Sequence, residues 1–285
     1  MDHKIIVGDC LDEMAKMPDK SVDLVFTSPP YEDCRLYGEL GFKIKGQAWV
    51  DWCLPRFIEC CRVCRGLVAF VVEGKTRKFQ WSATPALLMA DLHRHGVKLR
   101  KPPVFHRIGI SGSGGREWLR NDYEFIVCAS DGKLPWANNV AMGKPPKWNP
   151  GGAMTHQMKN GRKVARLHTK TMADGSKKQQ GYIPPALSNP GNVLRYNVGG
   201  GQIGSKMAHE NEAPFPEKLV EFFIRSFCPE GGIVLDPFSG SGTVAAVAKM
   251  WDRQSISIDV RQSQADLCNR RLASIHKMKA LAEIA

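Results

Sequence analysis

The stretch Gly232-Ile233-Val234-Leu235-Asp236-Pro237-Phe238-Ser239-Gly240-Ser241-Gly242-Thr243 constrains the fold more than any other part of the chain. Gly232–Leu235 reads as a short apolar strand, and the alanine-rich run Val244–Met250 reads as a helix. A strand, a glycine-rich turn and a helix N-terminus in succession form a ligand pocket at the carboxyl end of a parallel sheet. Glycines let the backbone approach that ligand closely. The spacing is not that of a phosphate loop, because Gly-x-x-x-x-Gly-Lys-Ser/Thr is absent, and the full Gly-x-Gly-x-x-Gly pattern is missing too. An acid at the strand tip repels a pyrophosphate and attracts an ammonium. Beyond the glycines, Ser255–Ile258 makes another short strand that ends in Asp259, an acid placed to accept from ribose hydroxyls.

The remaining apolar patterning extends this unit. Strands are expected at 4–7, 22–27, 67–72, 104–110, 123–129, 232–235 and 255–259, with helices at 10–17, 48–64, 82–95, 216–227, 243–251 and 261–282. Short apolar strands alternating with helices predict an α/β fold with a doubly wound, mostly parallel sheet of seven strands.

A second motif lies far upstream. Thr27-Ser28-Pro29-Pro30-Tyr31 follows the strand at 22–27. Consecutive prolines fix φ and remove two backbone donors, leaving carbonyls that only accept. A rigid acceptor loop, the Ser28 hydroxyl and the Tyr31 ring suit the holding of a flat base and the polarising of its exocyclic amine.

Length and charge bound the organisation. The 285 residues hold one large α/β domain with an insertion, and 43% apolar residues is ordinary for a globular protein. No apolar run approaches the ~20 residues of a membrane span, and Met-Asp-His-Lys opens without a signal-peptide pattern. Nine scattered cysteines fit a reducing cytoplasm. Cys60-Cys61-Arg62-Val63-Cys64 lacks a matching second pair, so a partly buried helix is expected there and no metal site. Net charge is +12, and residues 132–206 carry twelve Lys/Arg against one acid, Asp174. That segment is rich in Gly, Pro, Asn and Ser and shows little periodicity. It reads as an irregular insertion whose cations track phosphates, with Trp136, Trp148 and Tyr182 as stacking faces.

Together these motifs resemble the amino-methylating DNA methyltransferases, which modify cytosine N4 or adenine N6. Their amine loop reads Asp/Asn/Ser-Pro-Pro-Tyr/Phe, and their cofactor loop commonly reads Asp-Pro-Phe-x-Gly-Ser-Gly-Thr. The order here, amine loop first, is similar to the permuted β group, whose recognition region lies between the two. Gly8-Asp9-Cys10 resembles the motif beside the cofactor adenine, and Ala213-Pro214-Phe215-Pro216-Glu217-Lys218-Leu219 resembles the segment that closes over the methionine part. The resemblance covers roughly 1–130 and 207–270. It divides the chain into a catalytic half at 1–131, a DNA-recognition insertion at 132–206 and a cofactor half at 207–285. It also implies an antiparallel hairpin at the sheet edge, from Val104–Ile110 and Tyr123–Ala129.

The resemblance implies S-adenosyl-L-methionine as cofactor and double-stranded DNA as partner. Asp236, Pro237, Phe238, Gly240, Gly242 and Thr243 become the methionine-side loop, Asp259 the ribose acid, Asp9 with Cys10 the adenine contact, and Phe215 with Pro216 the closing walls. Ser28, Pro29, Pro30 and Tyr31 become the catalytic loop. Asp9 also suits a helix cap for 10–17. Trp118 is expected either to stack near the pocket or to be buried. Within the family a serine at the first loop position goes mainly with cytosine N4, and adenine N6 is the alternative. Methylation at cytosine C5 needs a Pro-Cys dipeptide, which this chain lacks. An RNA methyltransferase and a silent DNA-binding protein are the more distant readings. Any restriction endonuclease would be a separate chain, and oligomeric state is not readable.

Overall fold

A computed structural model describes the chain except residues 1, 34–35, 38–39, 42, 110–116, 147–154, 166–167, 181–184, 199–206, 208–209, 211–215 and 276–285. The main sheet is built from β1 (His3–Val7), β2 (Val22–Thr27), β3 (Cys64–Val72), β4 (Val104–Ile108), β5 (Tyr123–Ala129), β6 (Val193–Asn197), β7 (Ile233–Asp236) and β8 (Gln254–Asp259). Their order is β1-β8-β7-β2-β3-β5-β4-β6. Only β5 runs antiparallel to its neighbours, against β3 on one side and β4 on the other. The α/β expectation stands, with one correction: this sheet has eight strands where seven were expected. The extra strand, β6, lies inside the segment read as irregular. It pairs in parallel outside β4, so the β4–β5 hairpin is not the sheet edge.

Six helices flank the sheet: α1 (Cys10–Ala15), α2 (Gln47–Val63), α3 (Thr84–Arg94), α4 (Glu217–Phe227), α5 (Thr243–Met250) and α6 (Gln262–Ser274). Strand residues alternate between two cores, so central strands bury both faces and read as unbroken apolar runs. Val25, Val68 and Phe70 face Met14, Phe57 and Leu88 from α1 to α3. Leu24, Phe26 and Ala69 face Leu219, Phe223 and Val247 from α4 and α5. Phe26 and Phe223 stack at 4.6 Å between centroids. No described helix is long and apolar enough to cross a membrane.

The chain separates into two compact units, residues 1–138 with 191–285, and residues 139–190. The second unit is smaller than the 132–206 insertion expected, because β6 belongs to the first. It is also less irregular. Thr155–Gln157 pairs with Lys163–Ala165, and His168–Thr171 pairs with Lys177–Gln180, as two antiparallel hairpins.

The Phe26–Phe223 stack links β2 to α4 at the centre of the second core. Phe223→Ala is therefore expected to cost about 3–5 kcal/mol in urea unfolding, by leaving a cavity that the sheet cannot collapse into.

Candidate active site

The parallel strands end together, which gathers both motifs at one rim of the sheet. Val7 pairs with Asp259, and Asp236 with Ser257, while Leu235 pairs with Val25 of β2. The loops after β1, β8, β7 and β2 therefore share one side.

On the cofactor side, Asp236 is 1% exposed. Its Oδ1 accepts from Thr27 Oγ1 at 2.6 Å and from Phe238 N at 3.2 Å. Gly240 N donates to Asp259 Oδ2 at 2.9 Å, so the glycine loop is pinned to the second acid. Asp259 Oδ1 takes Arg261 N, also at 2.9 Å. Gly242 caps α5 at φ 73°, and a Cβ there would lie 2.2 Å from Cys268 Sγ, so only glycine fits. Pro237 lies within this loop, and Thr243 opens α5. Thr243 Oγ1 accepts from Arg271 Nη1 at 2.9 Å. Arg271 is buried and also donates to Glu217 Oε1 at 2.5 Å, which ties the start of α4, beside the buried Pro216, to the glycine loop. Phe215 lies outside the described residues.

Asp9 caps α1, accepting from Leu11 N at 2.8 Å, and pairs with Arg56 of α2 at 3.0 Å. Cys10 is buried, and burial pushes its thiol up to about 11, so it remains protonated. Arg56 sits 4.3 Å over the Trp52 ring, and Trp52 lies 5.6 Å from Phe238. Trp52 and Arg56 were not among the expected site residues. Their spacing of four on one helix face was the available signal.

On the amine side, Pro29 is buried and Ser28 half-buried. The Pro30 carbonyl is taken by Trp49 Nε1 at 2.8 Å, which fixes the loop. The Tyr31 hydroxyl donates to Glu124 Oε2 at 2.7 Å, and Arg107 pairs with Glu124 Oε1 at 3.1 Å. The Ser28 hydroxyl lies on the phenol's side of the loop and opposes the rise that burial brings to the Tyr31 hydroxyl. Burial raises both Tyr31 and Glu124, with Arg107 and the phenol opposing the rise at Glu124. Next to Glu124 stands Glu73, at the end of β3. Burial pushes its carboxyl up to about 7, and its Oε2 has no hydrogen-bond partner among the described residues. Glu124 closes the stretch 117–124, which reads as a source of further pocket walls, whereas Glu73 and Arg107 went unread because isolated charges in strands carry no local pattern. Trp118 is 77% exposed, which overturns the expectation that it is buried. Cys60 and Cys64 are buried, and no group of three or more metal-ligating side chains occurs among the described residues.

The donor set fits S-adenosyl-L-methionine. Asp236 is a buried carboxylate with no ion pair among the described residues, which suits an ammonium. Ser239 Oγ, in the same loop, is buried without a hydrogen-bond partner among the described residues. Gly240 and Gly242 keep the backbone open. Asp259 stands at the tip of the next strand, where a ribose would lie.

Burial pushes the Asp236 carboxyl up to about 7, with the nearby Asp259 charge adding to the rise. A raised carboxyl favours the protonated fold. Its stabilising contribution is complete below about 4 and is withdrawn as pH climbs through about 7. At ~1.4 kcal/mol per pH unit, the free protein loses up to roughly 4 kcal/mol across that window. Urea unfolding between pH 4.5 and 8 should show this slope, and Asp236→Asn should reduce it to the share contributed by Glu73, whose carboxyl is likewise pushed up to about 7.

The fold agrees with that of known proteins. A family profile described as DNA methylase matches residues 22–270. The orphan methyltransferase M.BamHII of Bacillus amyloliquefaciens is 29% identical over 95% of this chain and 93% of its own length. The DNA adenine methyltransferase YhdJ of Escherichia coli K12 is 26% identical over 98% of this chain and 86% of its own. Among solved structures, the cytosine-N4-specific PvuII DNA methyltransferase superposes with a TM-score of 0.68 at 19% identity, covering 98% of this chain and 90% of that one. Members of the family take their methyl group from S-adenosyl-L-methionine. This chain belongs to the amino-methylating DNA methyltransferases, the cytosine-N4 and adenine-N6 enzymes.

Proposed function

We propose that this protein methylates the exocyclic amine of a base extruded from double-stranded DNA, and that the base is cytosine. The network Ser28–Tyr31–Glu124–Arg107 carries the mechanistic part of this reading. Tyr31 gives its proton to Glu124, so its oxygen takes the Ser28 proton. The Ser28 oxygen is then left as an acceptor. An exocyclic amine is a poor nucleophile because its lone pair is delocalised into the ring. Ser28 Oγ and the Pro29 carbonyl accept from the NH₂ and favour a pyramidal nitrogen. Glu73, half protonated near neutral pH, offers a donor to the ring nitrogen beside the amine.

S-adenosyl-L-methionine supplies an activated sulfonium methyl, so transfer is a direct displacement. The chain's part is positioning and electrostatics, with no covalent intermediate. Extrusion costs a few kcal/mol in lost stacking, and the Tyr31 ring repays part of this by stacking on the base. Asp236 receives the cofactor ammonium, Asp259 the ribose and Asp9 the adenine side, with Pro216 and Phe238 as apolar walls. The basic segment at 139–190 tracks phosphates.

Ser28 at the first loop position supports cytosine N4. Adenine N6 is the second reading, supported by the likeness to YhdJ along nearly the whole chain.

Both readings meet one experiment. DNA incubated with the protein and labelled S-adenosyl-L-methionine is digested, and its nucleosides are weighed by mass spectrometry. N4-methylcytosine is expected. N6-methyladenine would establish the second reading, and label on RNA alone would overturn both. Ser28→Ala should lower single-turnover transfer about a hundredfold while cofactor affinity stays within about twofold.

A further inference from the structure

A hairpin beyond β3 takes no part in either loop. Thr76 pairs with Trp81 and Arg77 with Gln80, leaving Lys78 and Phe79 as a two-residue turn. Both turn residues hold positive φ, 46° and 66°. Such turns favour Asn-Gly or Asp-Gly, and a bulky aromatic in the left-handed region is an outlier. Phe79 is moreover 85% exposed, so no packing compensates for its conformation. An exposed aromatic held in a disfavoured conformation points to a task outside the fold.

The hairpin is anchored beside the amine loop. Lys75 N donates to the buried Glu32 carboxylate at 2.7 Å, and Lys75 Nζ donates to the Asp33 carbonyl at 2.6 Å. Arg77 pairs with Asp33, and Ser82 bonds Glu32. Glu32 and Asp33 directly follow Tyr31. At the other strand, Trp81 Nε1 donates to Glu73 at 3.2 Å. A Cβ at Gly74 would lie 2.4 Å from that same nitrogen, so glycine is what lets the hairpin fold back here. The tip thus stands on a rigid base that shares residues with the amine site. Lys75 and Arg77 pair with Asp33, and Lys78 adds a further cation at the turn itself.

We propose that Phe79 is a wedge that enters the base stack of duplex DNA at the target and fills the space the extruded base leaves. Lys78 holds a flanking phosphate. The inference rests on the reading of this protein as an enzyme that extrudes its target from duplex DNA. Its chemistry is general: apolar side chains inserted between base steps lower the cost of unstacking, and the cations around them bind any sequence. The wedge therefore acts on the duplex, before and apart from the methyl transfer.

The test compares two substrates carrying the site that the wild-type protein methylates. One is the matched duplex, and the other places an abasic position opposite the target base, which is then already loosened. Phe79→Gly suits the turn's positive φ and should leave thermal stability and cofactor affinity intact. It should lower kcat/KM on the matched duplex about tenfold or more, yet change it less than about threefold on the abasic-opposed duplex. Phe79→Leu, which keeps an apolar wedge, should recover most of the matched-duplex rate. Lys78→Ala should weaken both substrates alike and flatten the salt dependence. Equal losses on both substrates with Phe79→Gly, or no loss on the matched duplex, would overturn the wedge. Failure of the wild-type protein to label duplex DNA would overturn the underlying reading and the wedge with it.

Discussion

The hydrogen bond from Thr27 Oγ1 to Asp236 Oδ1, 2.6 Å long and fully buried, joins residues 209 positions apart. Everything at the site depends on that meeting. Thr27 ends β2 and is the residue before Ser-Pro-Pro-Tyr, while Asp236 ends β7 and opens the glycine loop. Because β2 and β7 are parallel neighbours at the centre of the sheet, the two loops leave the same edge side by side. The loop proposed to accept the amine protons and the loop proposed to hold the methyl donor are thereby set together by backbone pairing.

The electrostatics follow from burial. Asp236 and Glu73 are both pushed up to about 7, and burial raises Glu124 too, with Arg107 opposing the rise. A buried carboxyl without a cation is costly when ionised. Asp236 and Glu73 therefore wait near their titration points, each ready to respond to a charged or polar ligand group. Glu124 serves differently, holding Tyr31 and through it the orientation of Ser28. Two neighbouring acids thus take different roles because only Glu124 is in direct ion-pair contact with Arg107, which reaches Glu73 from farther off.

What the sequence made legible was the part with local chemistry. The strands of the parallel core, the six helices and both loops could be read because apolar period and loop composition are written within a few residues of each other. The site depends further on contacts made across the sheet, and these carry no local mark. Glu73 and Glu124 meet only because β3 and β5 pair. The strand Val193–Asn197 escaped because it is an outer strand whose alternation is short, with only Leu194 buried and Tyr196 partly so, and with the apolar Val193 on the exposed face blurring it. The hairpins of the basic unit are mostly polar, yet Asn160-Gly161 and Asp174-Gly175 mark their turns, with both glycines at positive φ. Those dipeptides outweigh the absence of periodicity and were the usable signal.

The claim that one hydrogen bond couples the two loops is open to a direct measurement. Thr27→Val keeps the shape of the side chain and removes the donor to Asp236. Isothermal titration with S-adenosyl-L-methionine, paired with a single-turnover methylation assay, reads both sides of the joint. Losing a bond to a carboxylate should leave Asp236 protonated to higher pH, weakening cofactor binding about tenfold and slowing transfer as well. Unchanged affinity together with unchanged transfer would contradict the coupling and reduce Thr27 to a packing residue.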